Sequence, residues 1–151
     1  MPTYLSAEAL AQMKIELEQR KKMIRREISE KILHAKEMGD LSENFEYQTA
    51  KEEQALNETR ILEIESMLHD VILVESSQGA SNIALGTTFV VETEGKKKTY
   101  SLVGSNEANP LEGKISNESP IGMAFLDHKK GEKVEFEAPS GMIKYTIVDI
   151  F

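Results

Sequence analysis

Asp40 and Glu43 lie three residues apart beside Gly39, flanked by Glu37 and Glu46. Carboxylates at that spacing at a helix entry can aim their oxygens at one point. Mg²⁺ is a hard cation that takes such oxygens, keeps several waters, and is often held by one or two protein carboxylates plus substrate phosphates. Two acids are too few to hold the ion alone, but they can complete a site that another macromolecule begins. In a two-metal phosphoryl reaction one ion activates the water and the other stabilises the leaving oxygen. Acids donated to the weaker ion would turn a poor nuclease into a good one. The same spacing also reads as a capping box, with Asp40 as N-cap and Glu43 reaching back to the cap amide. Both acids suit the positive end of a helix dipole as well. Spacing alone favours the cap, yet four acids on one turn are more than a cap needs.

The elements that must carry these residues are two long helices. Gly39 is the only glycine before Gly79, and no proline stands between Pro2 and Pro110. Ser6 is placed to cap a helix that begins with Ala7, Glu8 and Ala9. Apolar residues then recur at Leu10, Met13, Leu17, Ile24, Ile28, Ile32 and Ala35, in steps near the heptad. After the turn the seam continues through Tyr47, Ala50, Gln54, Asn57, Ile61, Ile64, Leu68 and Val71, with Gln54 and Asn57 as polar members that set register. A connection of a few residues requires the helices to run antiparallel. A first helix of about 33 residues would reach about 50 Å at 1.5 Å per residue. The spacing therefore predicts a coiled-coil hairpin over residues 1–75 with the acids at its turn.

The period changes after Glu75. Residues 76–84 read as a small, polar linker, and residues 85–151 as a small α+β domain. Strands are predicted over 88–93, 99–103, 133–138 and 143–150. Turns fall at Glu94-Gly95 and Pro139-Ser140-Gly141, and one short helix opens at Pro120.

Composition narrows the function. The formal net charge is -8, so the chain is a poor partner for free DNA or RNA, whose binding rests on phosphate neutralisation. Nucleic acid that it meets must be held by something else. The absence of cysteine removes disulfides, thiolate metal sites and thiol nucleophiles. No Ser-His-Asp arrangement or phosphate-binding glycine loop is recognisable, and His34, His69 and His128 are scattered. No signal peptide or membrane span is visible, which predicts a soluble, cytoplasmic protein. Two acids on an exposed turn lack a substrate pocket, so the chain is not read as an enzyme by itself.

The stretch Glu37-Met38-Gly39-Asp40-Leu41-Ser42-Glu43-Asn44-Phe45-Glu46-Tyr47 resembles the tip signature of the Gre family of bacterial transcript-cleavage factors. The similarity continues, in order, through residues 50–54, 104–108, 113–121 and 138–145. It implies a C-terminal domain of FKBP-like fold that docks at the rim of the secondary channel of bacterial RNA polymerase, while the hairpin enters the channel. The paired acids of the family fall on Asp40 and Glu43. They would share a Mg²⁺ with the polymerase active site, no metal being bound by the isolated chain. A backtracked nascent RNA would then be hydrolysed and elongation resumed. Leu41, Ser42 and Asn44 join the tip contacts by the same resemblance. The family's Ser-Pro docking loop falls on Ser119 and Pro120, and the patch is extended to Glu118 and Ile121. The family is generally monomeric. One departure is Phe45, where the family commonly has a small residue, often alanine.

Arg20, Lys21, Lys22, Arg25 and Arg26 form the one dense basic cluster. They read first as a solvated helix face supported by i, i+4 pairs; a contact of Arg20, Lys21 and Arg25 with the transcript or the channel is the functional alternative. An FKBP-like fold does not bring isomerase activity with it. Two rival functions stand beside transcript cleavage: a non-cleaving regulator that occupies the polymerase channel, and a coiled-coil adaptor whose tip is only a capped turn.

Overall fold

A computed structural model describes residues 2–76 and 79–151. The chain divides into two units, Leu10–Asp70 and Met1–Ala9 with Val71–Phe151. The first is the predicted hairpin. Helix α1 (Ala7–Gln19) passes through a π-helical turn (Arg20–Ile24) into α2 (Arg25–Glu37), and α3 (Phe45–His69) returns. Ser6 caps α1 as expected, its hydroxyl accepting from the Ala9 amide at 3.2 Å. Ile28, Ala35, Ala50, Asn57, Ile61 and Ile64 are buried along the seam. Each fully buried isoleucine contributes about 1.5–3 kcal/mol, so this narrow stripe is the main source of hairpin stability.

The π-helical turn explains the seven-residue step between Leu17 and Ile24 in the first seam. One turn is widened, the Arg25 amide reaching back to the Arg20 carbonyl. Asn57 fills the gap from the facing helix. Its side-chain amide donates to the Arg20 carbonyl at 3.2 Å, and its oxygen accepts from the Arg20 guanidinium at 3.1 Å. A side chain inserted at a widened turn is an identifiable cause of such irregularity. The polar seam position fixes register here by pairing with backbone, since a shift would strand a buried amide.

The second unit contains two sheets. Strands β1 (Thr3–Ser6) and β2 (Val71–Val74) pair in parallel, joining the stretches before and after the hairpin. Strands β3 (Thr88–Thr93), β4 (Lys96–Val103), β5 (Lys114–Ser116), β6 (Lys133–Ala138) and β7 (Gly141–Ile150) form a sheet of order β5-β4-β3-β7-β6. All of its neighbours are antiparallel except β4 and β5. Helix α4 (Pro120–Phe125) packs on it. Phe125 is fully buried, with ring centroids 5.1 Å from Phe89 and 5.2 Å from Tyr145. The aromatic side chains thus fill the core and anchor α4 by its last residue.

Three sequence expectations change. Val71 leaves the heptad seam and begins β2, so the hairpin does not extend to residue 75. Thr3–Ser6 is a strand. The linker predicted over 76–84 includes Ile83, which is fully buried in the sheet core and bonded through its backbone to Asp127 and His128. Of that linker, Ser77 and Gln78 lie outside the described residues. The four predicted strands and the short helix all occur, with β4 beginning earlier, at Lys96, and β7 at Gly141. Glu94 and Gly95 both take positive φ, at 51° and 75°, as a tight two-residue hairpin turn requires.

Candidate functional site

The turn joining α2 to α3 begins where α2 ends. Gly39 takes φ 127°, a conformation that an L side chain rarely adopts. One Asp40 oxygen, Oδ1, accepts from the Ser42 amide at 3.1 Å and the Ser42 hydroxyl at 3.0 Å. These two donors, the backbone one first, hold the Asp40 carboxyl below its ordinary range. A carboxylate that accepts hydrogen bonds is favoured in its charged form. Oδ2 has no hydrogen-bond partner among the described residues. Glu43 is exposed and its side chain is in no ion pair or hydrogen bond among the described residues.

The capping box does not form. Asn44 is the N-cap of α3, its Oδ1 accepting from the Tyr47 amide at 3.1 Å. Its side-chain amide meanwhile donates to the Ala35 carbonyl at 2.6 Å, at the end of α2. One side chain therefore closes both helix ends across the turn. Asn outcompetes Asp at this cap because it alone offers an acceptor for α3 and a donor for α2. The sequence reading had Ser42 and Asn44 as tip contacts. Both are engaged within the turn, Ser42 with Asp40 and, through its carbonyl, with the Gln48 side chain at 3.3 Å. Leu41 is exposed. Replacing Asn44 by Ala removes the cap and the side-chain bond across the turn, leaving the Ala35 carbonyl with the Met38 amide as donor. We expect a loss of about 1–2 kcal/mol in thermal or denaturant unfolding, with Asp the milder replacement because it keeps the cap acceptor.

The basic cluster is paired throughout. Arg20 bonds Glu16 at 2.8 Å, Arg25 takes Glu58 through two bonds of 2.8 Å, and Lys22 takes Glu18 at 2.8 Å. Lys21 pairs with Glu65, and Arg26 lies 3.5 Å from Glu30. Arg60 shares Glu16 with Arg20, at 3.0 Å. Hydrogen bonds from Arg60 and then Arg20 lower the Glu16 carboxyl against the opposing effect of burial. Such exposed pairs contribute at most about 1 kcal/mol each. They favour the solvated-face reading, because Arg20, Lys21 and Arg25 each have an acid of the hairpin at hand.

The predicted docking loop has its own scaffold. Ser119 caps α4, accepting from the Gly122 amide at 3.1 Å and donating to the Ser116 carbonyl at 2.7 Å. Glu118 is held by the Ser105 hydroxyl, and its amide donates to the Ser116 hydroxyl at 3.1 Å. Pro120 stands exposed at the first position of α4. Ile121 is different: it packs against the sheet core, so it supports the loop from below. Sequence reading missed Ser105 and Ser116, whose role depends on β5 lying beside the turn after β4.

No helix among the described residues is long and apolar enough to cross a membrane, and no group of three or more potential metal-binding side chains occurs among them.

Comparison with known proteins agrees with this anatomy. Residues 3–72 match the family model described as transcription elongation factor, N-terminal, and residues 78–151 the model for the GreA/GreB C-terminal part. Transcription elongation factor GreA of Roseiflexus sp. (strain RS-1) is 45% identical over 152 residues, covering 99% of this chain and 97% of its own. GreA of Bacillus velezensis is 42% identical over 148 residues, covering 97% and 94%. Among solved structures, GreA factor homolog 1 (Gfh1) of Thermus thermophilus is 26% identical, covering 100% of this chain and 99% of its own, with a TM-score of 0.45. With both halves matched and relatives above 40% identity over nearly their whole length, this chain belongs to the GreA/GreB family of transcription elongation factors.

Proposed function

We propose that this chain stimulates the hydrolysis of backtracked transcripts by RNA polymerase, lending Asp40 and Glu43 to a Mg²⁺ in the polymerase active site. The single observation that carries the reading is the state of these two acids. Both are exposed at the bend of the hairpin and neither is in an ion pair among the described residues, while the acids facing the basic cluster along the helices are. The capping role that competed with metal chemistry belongs to Asn44, so Asp40 and Glu43 are not needed to start α3. Asp40 is held in its charged form by Ser42 and keeps one oxygen open. The chain would contribute charge and position, and the polymerase would supply substrate, metal and the rest of the site. Separation of cleaved RNA from a stalled polymerase complex, with and without the protein, tests this directly. An unchanged cleavage rate at saturating protein would favour the non-cleaving channel regulator.

Docking through the Ser119-Pro120 loop is the second part of the proposal. Pro120 is exposed, whereas Ser119 is used as a cap and Ile121 as a core contact. We therefore expect Pro120→Ala to weaken polymerase binding several-fold while leaving the thermal midpoint within a few degrees, since N1 tolerates many residues. Equal affinity in a titration against polymerase would remove Pro120 from the docking surface.

A further inference from the structure

We propose that Phe45 is a stacking platform for a base of the transcript at the hairpin tip, an inference that rests on the function proposed above. Phe45 is 79% exposed and lies two residues after Glu43. Its backbone is fixed by its neighbour Asn44, which bonds across the turn and caps α3. Phe45 is not among the buried α3 members of the seam, which are Ala50, Asn57, Ile61 and Ile64. An exposed aromatic ring two residues from a tip acid is open to a partner in the working complex.

The surroundings say what kind. Phe45 borders an open groove of about 280 Å³ that is also lined by Lys31, His34 and Thr49. Lys31 is engaged by Glu53 at 2.9 Å, and Glu46 and Glu53 line the same groove. With Asp40 and Glu43 close in sequence, this end of the hairpin is acidic and repels phosphates. The part of RNA that such a surface can hold is the uncharged base, which offers a π face to an aromatic ring irrespective of its identity. His34 has no bonded partner among the described residues, so its ring nitrogens remain available to a base edge. Phosphate attraction is thus replaced by stacking, beside acids that address the backbone only through Mg²⁺.

The test compares the parent, Phe45→Ala, Phe45→Leu, Phe45→Tyr and the double variant Asp40→Asn/Glu43→Gln. Each is assayed at saturating protein on stalled complexes whose extruded transcript carries either normal nucleotides or a single abasic one at successive positions. Removing one stacked base is expected to cost about tenfold in cleavage rate. Phe45→Ala and Phe45→Leu should both show that loss, and Phe45→Tyr should not. At one abasic position the parent should fall to the rate of Phe45→Ala, with no further loss in the variant. Circular dichroism and thermal midpoints should be unchanged, because the ring is exposed. The proposal is overturned if Phe45→Ala cleaves like the parent, or if Phe45→Leu retains full rate. It is also overturned if the loss is the same at every abasic position, which would assign the ring to an apolar protein surface. Loss of cleavage in the double variant together with any of these outcomes leaves the acids standing and removes only the stacking. A double variant as active as the parent removes the metal role itself, and the stacking proposal with it.

Discussion

Asp40→Asn combined with Glu43→Gln is expected to fold and bind polymerase like the parent while losing transcript cleavage by on the order of 100-fold or more, the scale set by removing preorganised charge stabilisation from an active site. The structure makes this a clean substitution. Asn at position 40 keeps an oxygen to accept from the Ser42 amide and hydroxyl, so the turn is retained. Gln at position 43 disturbs no bond, because Glu43 makes none among the described residues. Neither change touches the cap, which is Asn44. What disappears is the negative charge that a divalent cation requires. Matched melting curves and matched polymerase affinity, with cleavage followed on a stalled complex, separate chemistry from folding. A double variant that cleaves as fast as the parent would refute the metal role. The pH dependence has a definite sign: Ser42 holds the Asp40 pKa low, so its charge is present throughout the neutral range and is lost only as pH falls through that depressed value.

Gly122→Ala is the second large effect, and it acts on the docking loop. A methyl group at position 122 would collide with the Ser116 carbonyl oxygen and lie 2.9 Å from its carbon. That oxygen already accepts from the Ser119 amide at 3.1 Å and hydroxyl at 2.7 Å. Gly122 is buried, its own amide donates to Ser119 Oγ, and Phe125 pins the other end of α4 in the core. The methyl group cannot be relieved by a side-chain rotation, because its main neighbour is backbone. Overpacking of this kind costs about 3 kcal/mol, or roughly 10 °C or more in thermal midpoint for a unit of this size. Displacement of Ser119 and Pro120 should weaken polymerase binding as well. Gly122→Ala with an unaltered midpoint would show that the β5–α4 turn is looser than its hydrogen bonds imply, and would sink this account. Comparison with Pro120→Ala is informative, since that change should lower affinity without the loss of stability.

The tip illustrates how far local reasoning carries. Asp40 and Asn44 are both competent N-caps by residue type, and the spacing to Glu43, as a capping-box partner, pointed to Asp40. The choice of Asn44 depends on a carbonyl nine residues earlier, at Ala35, which becomes available only when α2 stops beside the start of α3. The basic cluster follows the same pattern. Glu16–Arg20 and Glu18–Lys22 are legible as i, i+4 pairs, but Arg25–Glu58 and Lys21–Glu65 exist only because the helices lie side by side.

By itself the amino-acid sequence determined the two-helix arm, the position of its bend, the acids beside that bend, and most strands of the second unit. Heptad periodicity, a single early glycine and alternating apolar residues are local signals, and each is strong over many residues. Tertiary structure alone decided the parallel pairing of Thr3–Ser6 with Val71–Val74, the widened turn filled by Asn57, and the Glu107 carboxylate that receives the Ser6 amide and hydroxyl at 2.8 and 2.7 Å. Short apolar runs and single polar side chains have several satisfactory local states, and only the arrival of a partner from far along the chain makes one of them the lowest in free energy.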